Sequence, residues 1–385
     1  MRGPTLPPAL ADLAPSVAVA GCVTLLLAIA LTLTRRWHLR YSGDVLTHLA
    51  HKSHRIALPR IGGVAIVGGF LAGLAHLLAT RDAVPAGTVL AVVAALVPVA
   101  GCGIAEDLTK RVGPRQRLFW MTLGALGLSA SGVLVLQRTD VPPIDLALTF
   151  APFAALFTAF ACVGATNAFN IVDGLDGMLG GLSLITLAAI AWVAHAVGDR
   201  TVLSMAVLLG AAVLCWLPFN WPRPVMFSGD SGAYAIGFLC AVMLLMLVSR
   251  HPEVSPWFGL TAAALPVWET LYSIGRRLRA GRSSLEADRA HLHQLVRERL
   301  QRARVARASR RADAAATEPC RIEAPNGFVS PLMWLLHAGA VAAGALTFRD
   351  TNAQLQLFLA FALAYVLAYR LLVRAEAKAA VAAGG

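Results

Sequence analysis

Eleven apolar runs, each long enough to cross a lipid bilayer, constrain this chain more than any other feature. A membrane-spanning helix needs roughly 17 to 22 predominantly apolar residues, and such runs fall near 16–34, 61–79, 88–105, 118–136, 150–168, 178–197, 201–218, 232–249, 257–275, 330–347 and 353–373. Of the 385 residues 57% are hydrophobic and only 14% charged, and the mean hydropathy is +0.67; a soluble globular domain is excluded. The expectation is an all-α, polytopic membrane protein of about 11 transmembrane helices, one integral domain over 1–385. A single basic residue, Arg2, precedes the first run and Arg35, Arg36 and Arg40 follow it, so it reads as a retained span rather than a cleaved leader.

The formal charge of +12 is accounted for by the membrane, because Lys and Arg collect in cytoplasmic loops and near anionic headgroups. No nucleic-acid partner is implied. With the N-terminus outside, 27 of the Lys and Arg residues lie on the inner side and six on the outer, which fixes the orientation by the positive-inside rule. The inner segments include a long basic loop, 276–329, and a tail, 374–385. Cys22, Cys102, Cys162, Cys215 and Cys240 sit in apolar runs and Cys320 in a basic loop. No pair has metal-ligand spacing, and all six read as small apolar fillers without a disulfide framework.

The stretch Asn167-Ala168-Phe169-Asn170-Ile171-Val172-Asp173-Gly174-Leu175-Asp176-Gly177 interrupts this apolar chain with two amides and two carboxylates. A charge at bilayer depth costs about 2.5–3.5 kcal/mol on the lenient insertion scale, so the polarity marks a site rather than an ordinary turn. The four polar residues recur every third position, and on an α-helix such a stripe walks about 60° per step. They cannot all face one point. The expected solution is a helix that stops near Asn170, with Gly174 and Gly177 turning the backbone so that Asp173 and Asp176 converge.

Four further inner loops carry candidate chemistry, all on the same side in this topology. Glu106-Asp107 at the end of the third run, close to Lys110, Arg111, Arg115 and Arg117, can hold a hydrated divalent ion or keep an acid ionised, or can be an exposed ion-pair turn. Asp230, flanked by Gly229 and Gly232 at the mouth of the eighth run, can cap that helix or bind Mg²⁺, which takes one or two carboxylates with phosphate and water. His51-Lys52-Ser53-His54-Arg55 and Arg60-Ile61-Gly62-Gly63 suit a phosphate approached closely by backbone, though positive-inside bias also explains the cations. In the long loop, Arg276, Arg277 and Arg279 lead to Asp288-Arg289-Ala290-His291-Leu292-His293-Gln294. Two histidines two apart on a helix would point about 160° from one another, so no zinc site is expected and phosphate binding is the better reading.

With these segments together, the chain resembles the polyprenyl-phosphate glycosyl-1-phosphate transferases of the MraY/WecA type over about 50–300. Asn167–Gly177 resembles the family's NAxNxxDGLDGL signature; Asn220 with Phe227–Gly232 resembles FN…FxGDxGS; Asp288–His293 resembles DRxHxHH; and Leu58–Gly63 resembles the PxxGG entry to the second helix. Eleven helices are similar to the WecA branch. The resemblance implies transfer of a sugar-1-phosphate, an N-acetylhexosamine-1-phosphate by default, from a UDP-sugar to undecaprenyl phosphate with release of UMP. It further implies Mg²⁺, with Mn²⁺ as an alternative, and a cytoplasmic-face site in a bacterial inner membrane. The catalytic residues it implies are Asp107, Asp173, Asp176 and His291, and Asp230 would hold the metal. Lys52, Arg60, Glu106, Asn167, Asn170, Asn220, Arg277 and His293 would bind substrate. Glu106 stands where the family has the first acid of an Asp-Asp pair, and Gln294 where it has a third histidine. A lipid-linked-glycan transporter and an inactive binding relative are the competing readings; assembly as monomer or homodimer stays open.

Overall fold

The computed structural model describes residues 11–43, 58–80, 84–281, 290–311 and 326–384, and among these it is helical, with one isolated antiparallel bridge between Gly43 and Pro59. The helices are α1 (Ala14–Leu33), α2 (Arg35–Ser42), α3 (Gly62–Thr80), α4 (Ala86–Thr109), α5 (Pro114–Ala130), α6 (Pro142–Leu148), α7 (Ala151–Ile171) and α8 (Met178–Ala196). They continue as α9 (Arg200–Trp216), α10 (Gly229–Arg250), α11 (Phe258–Ala262), α12 (Ala264–Arg279), α13 (Leu292–Arg311), α14 (Ser330–Leu346) and α15 (Thr351–Gly384).

Every apolar run of the sequence lies largely in helix, but eight described helices, not eleven, are long and apolar enough to cross a membrane. The differences have local causes. The run at 118–136 begins earlier, at Pro114 in the first helical turn, and stops at Ala130, just before Gly132 takes a left-handed φ of 71°. The run at 257–275 is broken at Ala263 into α11 and α12. Side chains from distant helices serve the break: Thr186 Oγ1 donates to the Ala262 carbonyl at 2.8 Å, and the Leu265 N–H donates to His337 Nδ1 at 3.5 Å. The run at 330–347 forms the 17-residue α14.

Helix α10 is the axis of the bundle. Of its most apolar window 94% is buried, against 28% for α1 and for the membrane window of α15, and it packs on α3, α4, α7 and α8. Small residues let those neighbours approach: a Cβ on Gly63 of α3 would strike the Gly232 N–H and the Ser231 hydroxyl. The first turn of α10 therefore sits against the first turn of α3 and the last turns of α4, and the loops from these ends meet in one place. The entry segment before α3 is tied there by backbone bonds, Phe227 N–H to Pro59 O at 2.9 Å, Gly62 N–H to Phe227 O at 2.9 Å and Gly63 N–H to Ser228 O at 2.8 Å.

Candidate active site

The site grows from the N-terminus of α10. The first N–H groups of any helix lack partners within it, and here a carboxylate from another helix supplies them. Asp107, 1% exposed, accepts the Asp230 N–H on Oδ1 at 2.8 Å, and on Oδ2 the Ser231 N–H at 2.9 Å and the Ser231 hydroxyl at 2.6 Å. Gly229 must be glycine for this contact: its φ is 71°, and a Cβ would strike the Arg60 carbonyl and the Asp107 carboxylate. Asp230 itself, 8% exposed, points its carboxylate toward Arg60, whose Nη2 lies 3.9 Å from Oδ2.

The stretch at 167–177 joins this cluster through Ser228, whose hydroxyl donates to Asp173 Oδ2. As the sequence predicts, α7 stops at Ile171 and a turn follows, with Gly177 left-handed at φ 75° before α8. Gly177 supplies the turn; Gly174 instead makes room, since a Cβ there would lie 2.7 Å from His293 Nε2. Burial, the largest cause, pushes the Asp173 carboxyl up to about 6; the Ser228 hydrogen bond and the Arg60 charge oppose the rise, and the Asp230 and Asp107 charges add to it. The acids of three separate loops thus lie close enough to repel one another. Asp176, 4% exposed, lies in the same turn and its carbonyl accepts the Ser330 hydroxyl at 2.6 Å.

Several residues expected to meet substrate make bonds that hold the scaffold. Asn220, 2% exposed, accepts the Gly177 N–H at 2.7 Å and donates to Met226 O at 3.0 Å, stapling one loop to the other. Asn167 Nδ2 donates back along α7 to Val163 O at 2.8 Å. Glu106 bonds Arg117 Nη2 at 2.7 Å with one oxygen and the Val112 N–H at 2.7 Å with the other, closing the loop between α4 and α5. Asn170 has no side-chain hydrogen bond among the described residues, whereas the side chains of Asn167 and Asp173 each have one. Arg277 lies on the last turn of α12 and donates from Nε to Ser273 O at 3.4 Å. Lys52, Asp288 and Arg289 fall outside the described residues.

The histidines correct the helical reading of their spacing. α13 starts at Leu292, so His291 precedes it, and the two rings stack in parallel, 5.5 Å apart with 6° between planes. Both turn toward one carboxylate that sequence reasoning missed, Glu269 of α12: His293 Nδ1 lies 3.1 Å and His291 Nδ1 3.5 Å from its Oε1. The signal was present, because Glu269 is the one charged residue in the run 257–275, where a charge needs a reason.

Mg²⁺ binds hard oxygens, one or two carboxylates with phosphate and water completing the shell. Among the described residues no three Asp, Glu, His or Cys close into a ready cage, but Asp230 and Asp173 suit that lighter requirement, and their mutual repulsion is what a cation would offset. A consequence follows for pH. In the substrate-free protein the Asp173 proton competes with the cation, so cation affinity is expected to rise from pH 5 to pH 7 and then level off. Near pH 6 about half a proton should leave per cation bound. Titration calorimetry in two buffers of different ionisation enthalpy measures this, and affinity that ignores pH in this range would contradict it. Without a cation the sign reverses for stability: the raised value in the fold costs stability as pH climbs from the ordinary 3.8 to about 6.

This fold and this site define a polytopic membrane protein with an acid cluster and cations at one end of its helix bundle. The family model for glycosyl transferase family 4 matches residues 89–248, which include Asp107, the 167–177 turn and α10. A decaprenyl-phosphate N-acetylglucosaminephosphotransferase of Mycobacterium leprae is 32% identical over 272 residues, covering 62% of this chain and 66% of that protein. A probable undecaprenyl-phosphate N-acetylglucosaminyl 1-phosphate transferase of Bacillus subtilis is 29% identical over 246 residues, covering 63% and 66%. An undecaprenyl-phosphate alpha-N-acetylglucosaminyl 1-phosphate transferase of Yersinia pestis is 27% identical over 251 residues, covering 64% and 67%. Residues 89–248 thus match glycosyl transferase family 4, and the likeness to these relatives supports the MraY/WecA-type resemblance read from the motifs. The matched part spans just under two thirds of the first relatives' length.

Proposed function

We propose that this protein transfers a sugar-1-phosphate, N-acetylglucosamine 1-phosphate in the first instance, from a UDP-sugar to undecaprenyl phosphate, releasing UMP. An oxygen of the lipid phosphate would attack the sugar-bearing phosphorus; its bond to the bridging oxygen would break, and that oxygen would leave with UMP. The reactants are both anionic, so the work of the site is to offset repulsion and to align them. The observation that carries the reading is the bonded cluster of Asp107, Asp230, Ser228 and Asp173 with Arg60 alongside, built from three loops that meet at one end of the bundle.

A divalent cation, Mg²⁺ or Mn²⁺, would supply Lewis-acid neutralisation of the diphosphate. Asp230 would hold it, with Asp173 as the second carboxylate. Arg60 would take a phosphate oxygen. Asn170 and Asp176 would face the nucleotide, while Asn220, Asn167 and Glu106 would act by fixing the loops. Asp107 would orient rather than deprotonate, its oxygens already engaged by three donors. His291, His293 and Arg277, with Lys52, would hold phosphates. The distribution of Lys and Arg supports a cytoplasmic site with the N-terminus outside, in a bacterial plasma membrane.

Purified protein given UDP-N-acetylglucosamine, undecaprenyl phosphate and Mg²⁺ is expected to release UMP and form a lipid-linked diphosphosugar. Omission of lipid or cation should stop it. No UMP from any of a panel of UDP-sugars would overturn the proposal.

A further inference from the structure

Glu269 is a fully buried carboxylate on α12, outside the motifs that define the site. An apolar cluster that includes Ala264, Leu265, Leu292, Leu295 and Tyr365 surrounds this region and keeps water away. A buried carboxylate is costly unless donors satisfy it. Two hydrogen bonds converge here on a single oxygen, Oε1, from the Leu292 N–H at 2.7 Å and from His293 Nδ1 at 3.1 Å, and His291 Nδ1 lies 3.5 Å away without a hydrogen bond.

The chemistry of that oxygen dictates the chemistry of the ring. An ionised carboxylate only accepts, so the His293 imidazole bonded to it must carry a proton on Nδ1. The other ring nitrogen is then the one offered elsewhere. His293 Nε2 is buried, has no hydrogen-bond partner among the described residues, and faces Gly174 in the middle of the Asp173–Asp176 turn. The Leu292 N–H bond adds a second constraint, fixing the backbone between the two histidines to the same oxygen.

We propose that Glu269 is a positioning residue: it holds His293 with a proton on Nδ1 and aims its Nε2 at the Asp173–Asp176 turn, where that atom, once it too carries a proton, donates to a substrate phosphate. This rests on the transfer reaction proposed above for the role of the histidine, but not for its tautomer. Carboxylate–imidazole pairs of this kind, one shell out from the ligand, are worth about 10- to 100-fold when lost.

Two measurements test it. In substrate-free protein with ¹⁵N-labelled histidine, assigned by single replacement of His291 and His293, the His293 ring shifts should show a protonated Nδ1. They should lose that signature in Glu269→Met, a variant that keeps the volume and removes the accepting oxygen. An Nε2–H tautomer in the wild type overturns the proposal whether or not the variant folds and whether or not UMP is released. The second is a double-mutant cycle on UMP release. Glu269→Met and His293→Ala should each lower kcat/KM by about 10- to 100-fold, and the double variant should be no worse than about twofold below His293→Ala, because Glu269 acts through that ring. Losses that multiply would mean that Glu269 matters only to the fold. Absence of UMP release by the wild type would instead sink the transfer reaction, leaving the tautomer measurement to judge Glu269.

Discussion

Asp230→Asn is expected to reduce UMP release by about 10³-fold, at the upper end of what removal of one electrostatic contact to a developing charge costs, about 4 kcal/mol. The geometry makes this a clean test. Asp230 reaches the Asp107 cap through its backbone N–H, which the substitution leaves in place, while its carboxylate extends the other way toward Arg60. Asn has nearly the same shape, so the first turn of α10 should keep its bonds and the protein its melting temperature. What disappears is one negative charge in a nearly closed site. Cation affinity measured by calorimetry should fall in parallel with the rate. Activity within tenfold of wild type would place the cation elsewhere and undo the assignment of Asp230.

The larger features of this protein were legible in its sequence because lipid imposes simple arithmetic. Apolar runs of spanning length are hard to explain except as helices, and the burst of amides and acids at 167–177 falls at the helix end where Ser228 meets Asp173. Partners were not legible. The N–H groups that Asp107 accepts are 123 and 124 residues away, and a carboxylate at a helix end reads the same whether it binds a metal, pairs with Arg or caps another helix. Asn220 shows the same limit, since an amide able to meet a nucleotide is equally able to staple Gly177 to Met226. The break at Ala263 was hidden for a different reason: the run around it is uniformly apolar, and the side chains that serve the interrupted backbone, Thr186 and His337, come from other helices. The histidine pair was misjudged through its assumed helix. One residue of non-helical backbone at His291 was enough to bring both rings onto Glu269.

Asp107→Asn is expected to lower kcat by about 10²-fold with the same ratio to wild type from pH 6 to pH 9. A carboxylate in this position accepts from three donors, two of them N–H groups at the start of α10. An amide offers one accepting oxygen, and its NH₂ must then face a donor; one buried N–H is left without a partner, at a cost of about 1–3 kcal/mol. The strain falls on the turn that carries Asp230 and Ser228, and through Ser228 on Asp173. A shift of about 1 Å in such a turn costs on the order of 10²-fold in rate, and the melting temperature should fall as well, since a lost cap costs about 1 kcal/mol. None of these effects depends on the protonation of the lipid phosphate. A general base behaves otherwise: its loss would be relieved at high pH, where the lipid phosphate is already a dianion and needs no base. A pH profile in which the variant recovers toward wild-type rates would therefore restore Asp107 as the proton acceptor. A flat ratio together with a lowered melting temperature identifies it as the residue that holds the first turn of α10 where the reaction needs it.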